Sequence, residues 1–189
     1  MANELIFIIG PSGSGKDTLI GLVRQRLGRE PDVCFAHRYI TRPASAGGEN
    51  HIALTEDEFL ARQSAELFAM SWHSHGCHYG IGIEVNQWLA MGLTVVVNGS
   101  RGYLSTALRL YPELCPVLVD VSSEVLRARL IQRGRETQES IEQRLSRNSE
   151  FGVESGKDCL RVDNNHSPGA ACERLLSIIN RYREKTACA

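Results

Sequence analysis

A glycine-rich loop set directly behind five apolar residues constrains this chain more than any other stretch. Leu5-Ile6-Phe7-Ile8-Ile9 reads as a buried strand, and Gly10-Pro11-Ser12-Gly13-Ser14-Gly15-Lys16-Asp17-Thr18 follows at once. A glycine, four residues, then Gly15-Lys16 is P-loop spacing. Its glycines let successive backbone N–H groups turn inward onto an anion. The helix behind it points its positive N-terminal end at the same anion. The lysine then reaches the β- and γ-phosphates of a nucleoside triphosphate such as ATP. Gly10 through Thr18 are therefore the nucleotide-binding candidates, with Lys16 also catalytic. A ligand-free glycine turn is the alternative, and the strand before and helix after favour the P-loop. One position is irregular. Where P-loops usually place Ser or Thr after the lysine, this chain has Asp17, with Thr18 next.

Behind the loop the pattern alternates. Apolar periodicity predicts a helix over about 17–27, and Thr55-Glu56-Asp57-Glu58 has capping-box spacing before another. Strands are expected at 67–72, 94–97, 116–121 and 160–162, and helices at 83–91, 123–133, 139–150 and from Pro168 onward. Gly92 and Gly134 are placed to stop two of these helices, and Ser123 to cap one. Strand alternating with helix means an α/β fold, a parallel sheet covered on both faces. Two segments interrupt the alternation, at about 34–80 and 134–150. Ligands in such sheets sit beyond the carboxyl ends of the strands. The first segment is therefore expected to bind an acceptor and the second to act as a lid. The remainder (1–33, 81–133 and 151–189) forms the core of a single domain.

Composition excludes several partners. The chain has 21 basic and 22 acidic residues, so no global positive field invites nucleic acid. No apolar run approaches the roughly 20 residues of a membrane span. The six cysteines are scattered without C-x-x-C spacing, and Glu4 stands where a secretion signal carries basic charge. Reduced thiols in a cytoplasmic protein are expected.

A P-loop alone admits ATPases, GTPases and kinases. The arginines Arg127, Arg129, Arg133, Arg135, Arg144 and Arg147 narrow the choice. Spaced four or three apart, they share helical faces. Phosphoryl transfer needs permanent donors around the charge on the γ-phosphoryl oxygens, which guanidinium groups supply. Arg129, Arg133 and Arg144 are the catalytic candidates; a solvated charged face is the bland alternative for each.

The P-loop, Thr41-Arg42, His75-Gly76-Cys77-His78-Tyr79-Gly80, the Leu130 to Glu136 turn and Arg144-Leu145 together resemble the guanylate kinase superfamily. Gly15-Lys16-Asp17, His37 to Arg42, Glu49 to Leu54, Ser71-Trp72-His73, Val97 to Arg101 and Arg133 to Glu136 look like one branch of it, the ribose 1,5-bisphosphate phosphokinases of phosphonate degradation. The resemblance runs over nearly the whole chain. It implies a guanylate kinase-like P-loop fold and transfer from ATP to ribose 1,5-bisphosphate, giving 5-phospho-α-D-ribose 1-diphosphate. Guanylate kinases hold the acceptor phosphate with two arginines and a tyrosine. Here Arg42 matches the first arginine, Ser45 replaces the second and His51 the tyrosine. Carboxylates read guanine, and Met70 and Ser100 stand at those positions. A guanine site is therefore not expected. A nucleoside monophosphate kinase is the runner-up, and a catalytically silent binding module is disfavoured by the intact Gly15-Lys16.

The resemblance and the residue chemistry give the remaining candidates. Arg38, Arg42, His51, His73, Tyr79 and Arg101 are expected at the acceptor. Asn164, in the Val162-Asp163-Asn164-Asn165 turn, is expected near the adenine, its side chain and that of Asn165 serving only the turn. Asp17 is the candidate Mg²⁺ ligand, because Mg²⁺ takes hard oxygens and Val97-Asn98 lacks the acid of a Walker-B strand. A helix N-terminal charge is its alternative role. His73, His75 and His78 have ligand-like spacing, but no matching acid or cysteine set completes a tetrahedron. Hydrogen bonding to sugar hydroxyls or phosphate, with Tyr79 beside them, is the expectation.

Overall fold

The computed structural model describes residues 4–46, 49–134, 137–139, 141–142, 145–146 and 159–187. Strand β1 (Leu5–Ile9) is buried along its whole length. It pairs in parallel with β7 (Thr94–Asn98) on one side and β8 (Cys115–Asp120) on the other. Strands β2 (Val33–Phe35) and β9 (Leu160–Asp163) complete a parallel sheet of order β2-β7-β1-β8-β9. Side chains alternate across a strand, so β1 feeds two layers. Ile6 and Ile8 pack with Leu19 and Val23 of α1 (Lys16–Leu27) and with Leu175 and Ile179 of a C-terminal helix. That helix is α6 (Pro168–Ala187). Leu5, Phe7 and Ile9 face Val85 and Leu89 of α3 (Glu84–Ala90) and Ala107 of α4 (Leu104–Leu110). Each such side chain contributes about 1.5–3 kcal/mol when fully buried. The P-loop thus hangs from the most completely buried strand of the molecule.

A second sheet, of order β4-β3-β6-β5, is inserted before α3. It comprises β3 (Arg38–Ile40), β4 (Ile52–Ala53), β5 (Phe68–Ser74) and β6 (Cys77–Gly82). Met70 and Ile81 bury one of its faces in the same core as Phe7. Helix α2 (Glu56–Ser64) covers the other, where Phe59 stacks on Phe68 at 4.6 Å and meets His78 at 5.2 Å. Thr55 caps that helix, its hydroxyl accepting from Glu58 N.

The structure moves several expected boundaries. β2 belongs to the core sheet and β6 runs on to Gly82, so the second sheet spans Arg38–Gly82 rather than 34–80. The polar stretch His73–Gly80 is a hairpin that turns at His75 (φ 51°) and Gly76 (φ 71°). Its polarity hid strand β6. Ser122, not Ser123, caps α5 (Ser123–Arg133), because its hydroxyl is the one that meets Val125 N at 3.3 Å. Gly92 and Gly134 have the positive φ expected where α3 and α5 end. Of the helix expected at 139–150, residues 139, 141–142 and 145–146 are described and helical. Ile141 and Leu145 pack there on Leu126 and Leu130 of α5. No described helix is long and apolar enough to cross a membrane. Cys34, Cys77, Cys115, Cys159 and Cys172 are free thiols.

Candidate active site

The loop between β1 and α1 has the backbone its glycines allow. Gly13 (φ 94°) and Gly15 (φ 89°) sit in left-handed conformations. A Cβ on Gly15 would lie 2.6 Å from Asn164 Nδ2, so the position has no room for a side chain. Lys16 Nζ folds back over the loop and donates to Gly10 O at 2.8 Å and Pro11 O at 3.0 Å. The loop is gripped from behind. Asn164 Nδ2 donates to Ser14 O at 2.6 Å, and Arg129 donates to Ser14 O at 3.4 Å and to Asn164 O at 2.8 Å. A cavity of about 220 Å³ lies here, lined by Gly13, Gly15, Thr18, Arg129, Gln132 and Asn164.

On the other side of Lys16 stands Asp17. Asn98, the last residue of β7, donates from Nδ2 to Asp17 Oδ1 at 2.7 Å. Arg38 Nη2 lies 3.7 Å from the same oxygen. The carboxylate of Glu49 grips the Arg38 guanidinium through both Nε, at 2.7 Å, and Nη2. Arg38 also lies over the Tyr79 ring at 5.2 Å. Burial pushes the Arg38 guanidinium below its ordinary pKa, while Asp17 and Tyr79 pull it up. Burial likewise raises Tyr79, against the opposing charge of Arg38. Tyr79 begins an aromatic ladder, stacking on Trp72 (5.6 Å), which stacks on Tyr103 (5.3 Å).

The expected acceptor residues divide. Arg38 and Tyr79 gather beside Asp17. Arg42 extends from the end of β3, with His51 against it: His51 Nε2 donates to Arg42 O at 3.1 Å. His73 goes elsewhere. It pairs across the hairpin with His78 while Trp72 pairs with Tyr79, so His73 occupies the opposite face from Tyr79. There it lines an open cleft of about 490 Å³ with Arg42, Thr55, Glu56 and His78. The pleat thus keeps His73 and His78 together, their rings 4.9 Å apart, and separates both from Tyr79. No group of three or more metal-ligating side chains forms among the described residues. Arg101 follows β7, where burial lowers its pKa against the pull of Asp120. Arg144 and the Arg133 side chain lie outside the described residues.

Buried polar groups are nearly always hydrogen-bonded. Among the described residues, the buried side-chain atoms without a partner are Ser14 Oγ, Asn164 Oδ1, Asn98 Oδ1 and Arg42 Nε. Ser14, Asn164 and Asn98 belong to the P-loop and its surround, and Arg42 to the inserted sheet. A protein tolerates such a cluster where a ligand completes the hydrogen bonding.

No protein-family model matches the chain. It is 57% identical, over 97% of its length, to the ribose 1,5-bisphosphate phosphokinase PhnN of Desulfomicrobium baculatum, of which 96% is covered. The chain belongs to the ribose 1,5-bisphosphate phosphokinase family. The enzyme of that name from Thiobacillus denitrificans is 52% identical, over 94% of this chain and 93% of the relative. Among solved structures, the guanylate kinase of Anaplasma phagocytophilum superposes with a TM-score of 0.67 at 13% identity. The match covers 96% of this chain and 87% of that one, a likeness of fold.

Membership of the ribose 1,5-bisphosphate phosphokinase family leaves two site residues that sequence reasoning missed. Asn98 was visible only as a missing acid at a strand end, and its amide contact with Asp17 spans 81 positions. Glu49 stood alone in a loop without periodicity, and nothing local paired it with Arg38. Asn164 was expected for its backbone; its side chain instead clasps the P-loop, while Asn165 makes the turn by donating to Asp163 Oδ1.

Proposed function

We propose that the chain transfers the γ-phosphoryl group of ATP to α-D-ribose 1,5-bisphosphate, releasing ADP and 5-phospho-α-D-ribose 1-diphosphate. The observation that carries this reading is the full-length relationship to phosphokinases of that name. The site geometry supports it. Met70 and Ile81 on the sheet face that also bears Tyr79 are 1% and 0% exposed, and the Trp72 ladder fills what lies beside them. That face offers cationic donors for phosphate, and Met70 puts no carboxylate there to accept from a guanine base.

The attacking atom is an oxygen of the acceptor's 1-phosphate, already ionised at neutral pH, so no strong general base is required. The oxygen attacks the γ-phosphorus, the bond to the ADP oxygen breaks, and charge is spread over the transferred group. Catalysis then rests on positioning and on preorganised charge. The Gly10–Thr18 loop cradles the donor phosphates, and Lys16 exchanges the carbonyls of Gly10 and Pro11 for phosphate oxygens. Arg129 and Asn164 hold the loop and border the nucleotide cavity. Arg42, with its buried Nε, and Arg38 receive the acceptor phosphate beside Tyr79, His51 and Arg101. Arg133 and Arg144 would close over the γ-phosphoryl group and exclude water.

Mg²⁺ fits one end of this site. Asp17 supplies a carboxylate, and Asn98 Oδ1 is a buried amide oxygen with no partner among the described residues. Hard oxygens are what this ion takes, so these two residues would hold it. When bound, it neutralises charge between the β- and γ-phosphates.

The test is to incubate the protein with ATP and Mg²⁺ plus either ribose 1,5-bisphosphate or GMP, and to follow ADP and the diphosphate by ³¹P NMR. Turnover of the sugar and not the nucleotide is expected. Turnover of GMP alone would overturn the assignment.

A further inference from the structure

We propose that Asp17 couples the two substrates by sharing Arg38. Unengaged, its carboxylate occupies the charge of Arg38; engaged on the donor side, it frees that charge for the acceptor phosphate. This rests on the function proposed above. Arg38 stands on β3, in the acceptor sheet, and Asp17 in the first turn of α1, next to the donor lysine. Their side chains meet at 3.7 Å with exposures of 12% and 37%. That gap is an ion pair without a hydrogen bond, so the attachment is electrostatic and reversible.

Glu49 gives the arrangement its direction. It takes the Nε and Nη2 edge of the guanidinium and fixes the ring plane against Tyr79. Arg38 therefore stays in place whatever happens to Asp17. Two carboxylates then surround one guanidinium, and an arriving phosphate meets net negative charge at Arg38. At this degree of burial such charges interact far more strongly than in water. Satisfying Asp17 from the donor side removes one of the two negative charges without moving a backbone atom. Linkage is reciprocal. The acceptor must strengthen donor-side binding at Asp17 by the same factor.

Calorimetric titration with ribose 1,5-bisphosphate tests this, with protein alone, with AMP-PNP, and with AMP-PNP plus Mg²⁺. The wild-type protein should bind the sugar about fivefold or more tightly in the last arm. Asp17→Asn, which keeps an oxygen for Asn98, should bind it tightly in all three arms. Equal affinity in all arms for the wild-type protein would overturn the coupling. So would effects of Asp17→Asn and Arg38→Gln that add independently in the double variant. Should Asp17→Asn fail to fold, Arg38→Gln alone decides: its sugar affinity should lose its dependence on Mg²⁺ and AMP-PNP, and retained dependence overturns the proposal. Absence of sugar binding in every arm would instead remove the proposed function, and this proposal with it.

Discussion

Asn98 Nδ2 donates to Asp17 Oδ1 at 2.7 Å, tying the last residue of β7 to the first turn of α1. The oxygen of the same amide, Asn98 Oδ1, is buried without a partner among the described residues. With Mg²⁺ held by these two residues as proposed, the carboxylate lies in the P-loop, at Asp17, and an amide at the strand end, at Asn98. Asn98→Ala should raise the Mg²⁺ concentration for half-maximal turnover by about tenfold, the scale seen when a ligand-orienting group is lost. Asp17→Ser should do the same. An unchanged Mg²⁺ titration in both variants would take the metal role from this pair.

Lys16→Ala should lower kcat by about a hundredfold or more, because it removes charge stabilisation from the transferred group. Its partners include two carbonyls of its own loop, Gly10 O and Pro11 O, rather than the core. The thermal midpoint should therefore barely move. Steady-state kinetics beside a melting curve checks both halves, and wild-type kcat would refute the site.

The clasp on the P-loop should show in ATP binding and in stability together. Asn164→Ala removes the 2.6 Å bond to Ser14 O and leaves that carbonyl the longer 3.4 Å bond from Arg129, at a cost of about 0.5–1.5 kcal/mol. KM for ATP should rise with it. Gly15→Ala should produce the same KM defect, since φ of 89° and a Cβ 2.6 Å from Asn164 Nδ2 push the clasp aside. A loss of stability with KM unchanged would make the clasp purely architectural.

Acid should weaken the seam between the β2 entry and α6. Arg183 donates to both oxygens of Asp32, at 3.0 and 2.8 Å. That bond holds the Asp32 carboxyl below its usual value, against the effect of burial. The contribution is present above the unfolded carboxylate value of about 3.9 and is lost as pH falls through the folded one. Asp32→Asn should flatten the acid limb of the melting temperature against pH. An identical acid limb in the variant would discharge Asp32 from this role.

The core sheet was legible because its strands are continuous apolar runs, which only a doubly covered parallel sheet can accept. Leu5–Ile9 and Thr94–Asn98 declare themselves without context. The hairpin was not legible. Spacing rightly brought His73 and His78 together, but it set Tyr79 beside them, whereas the pleat sends Tyr79 to the opposite face. Local spacing also found the phosphate cradle, whose residues are contiguous. It could not find Glu49 with Arg38, which meet only when the chain folds back from β3 towards β4, or Asn98 with Asp17, which meet only once β7 has paired with β1.

The bond from Asn164 to Ser14 joins residues 150 positions apart. During synthesis the cradle sequence leaves the ribosome about 150 residues before its clasp. The strands that flank β1 are themselves distant in the chain, at Thr94–Asn98 and Cys115–Asp120. Domains made in this order wait for their late segments before they close. A nascent chain therefore carries Gly10–Lys16 without the Asn164 clasp until residue 164 has been made. Nucleotide capture becomes a late event in biogenesis, and release of a ligand-competent loop reports that the C-terminal third has arrived.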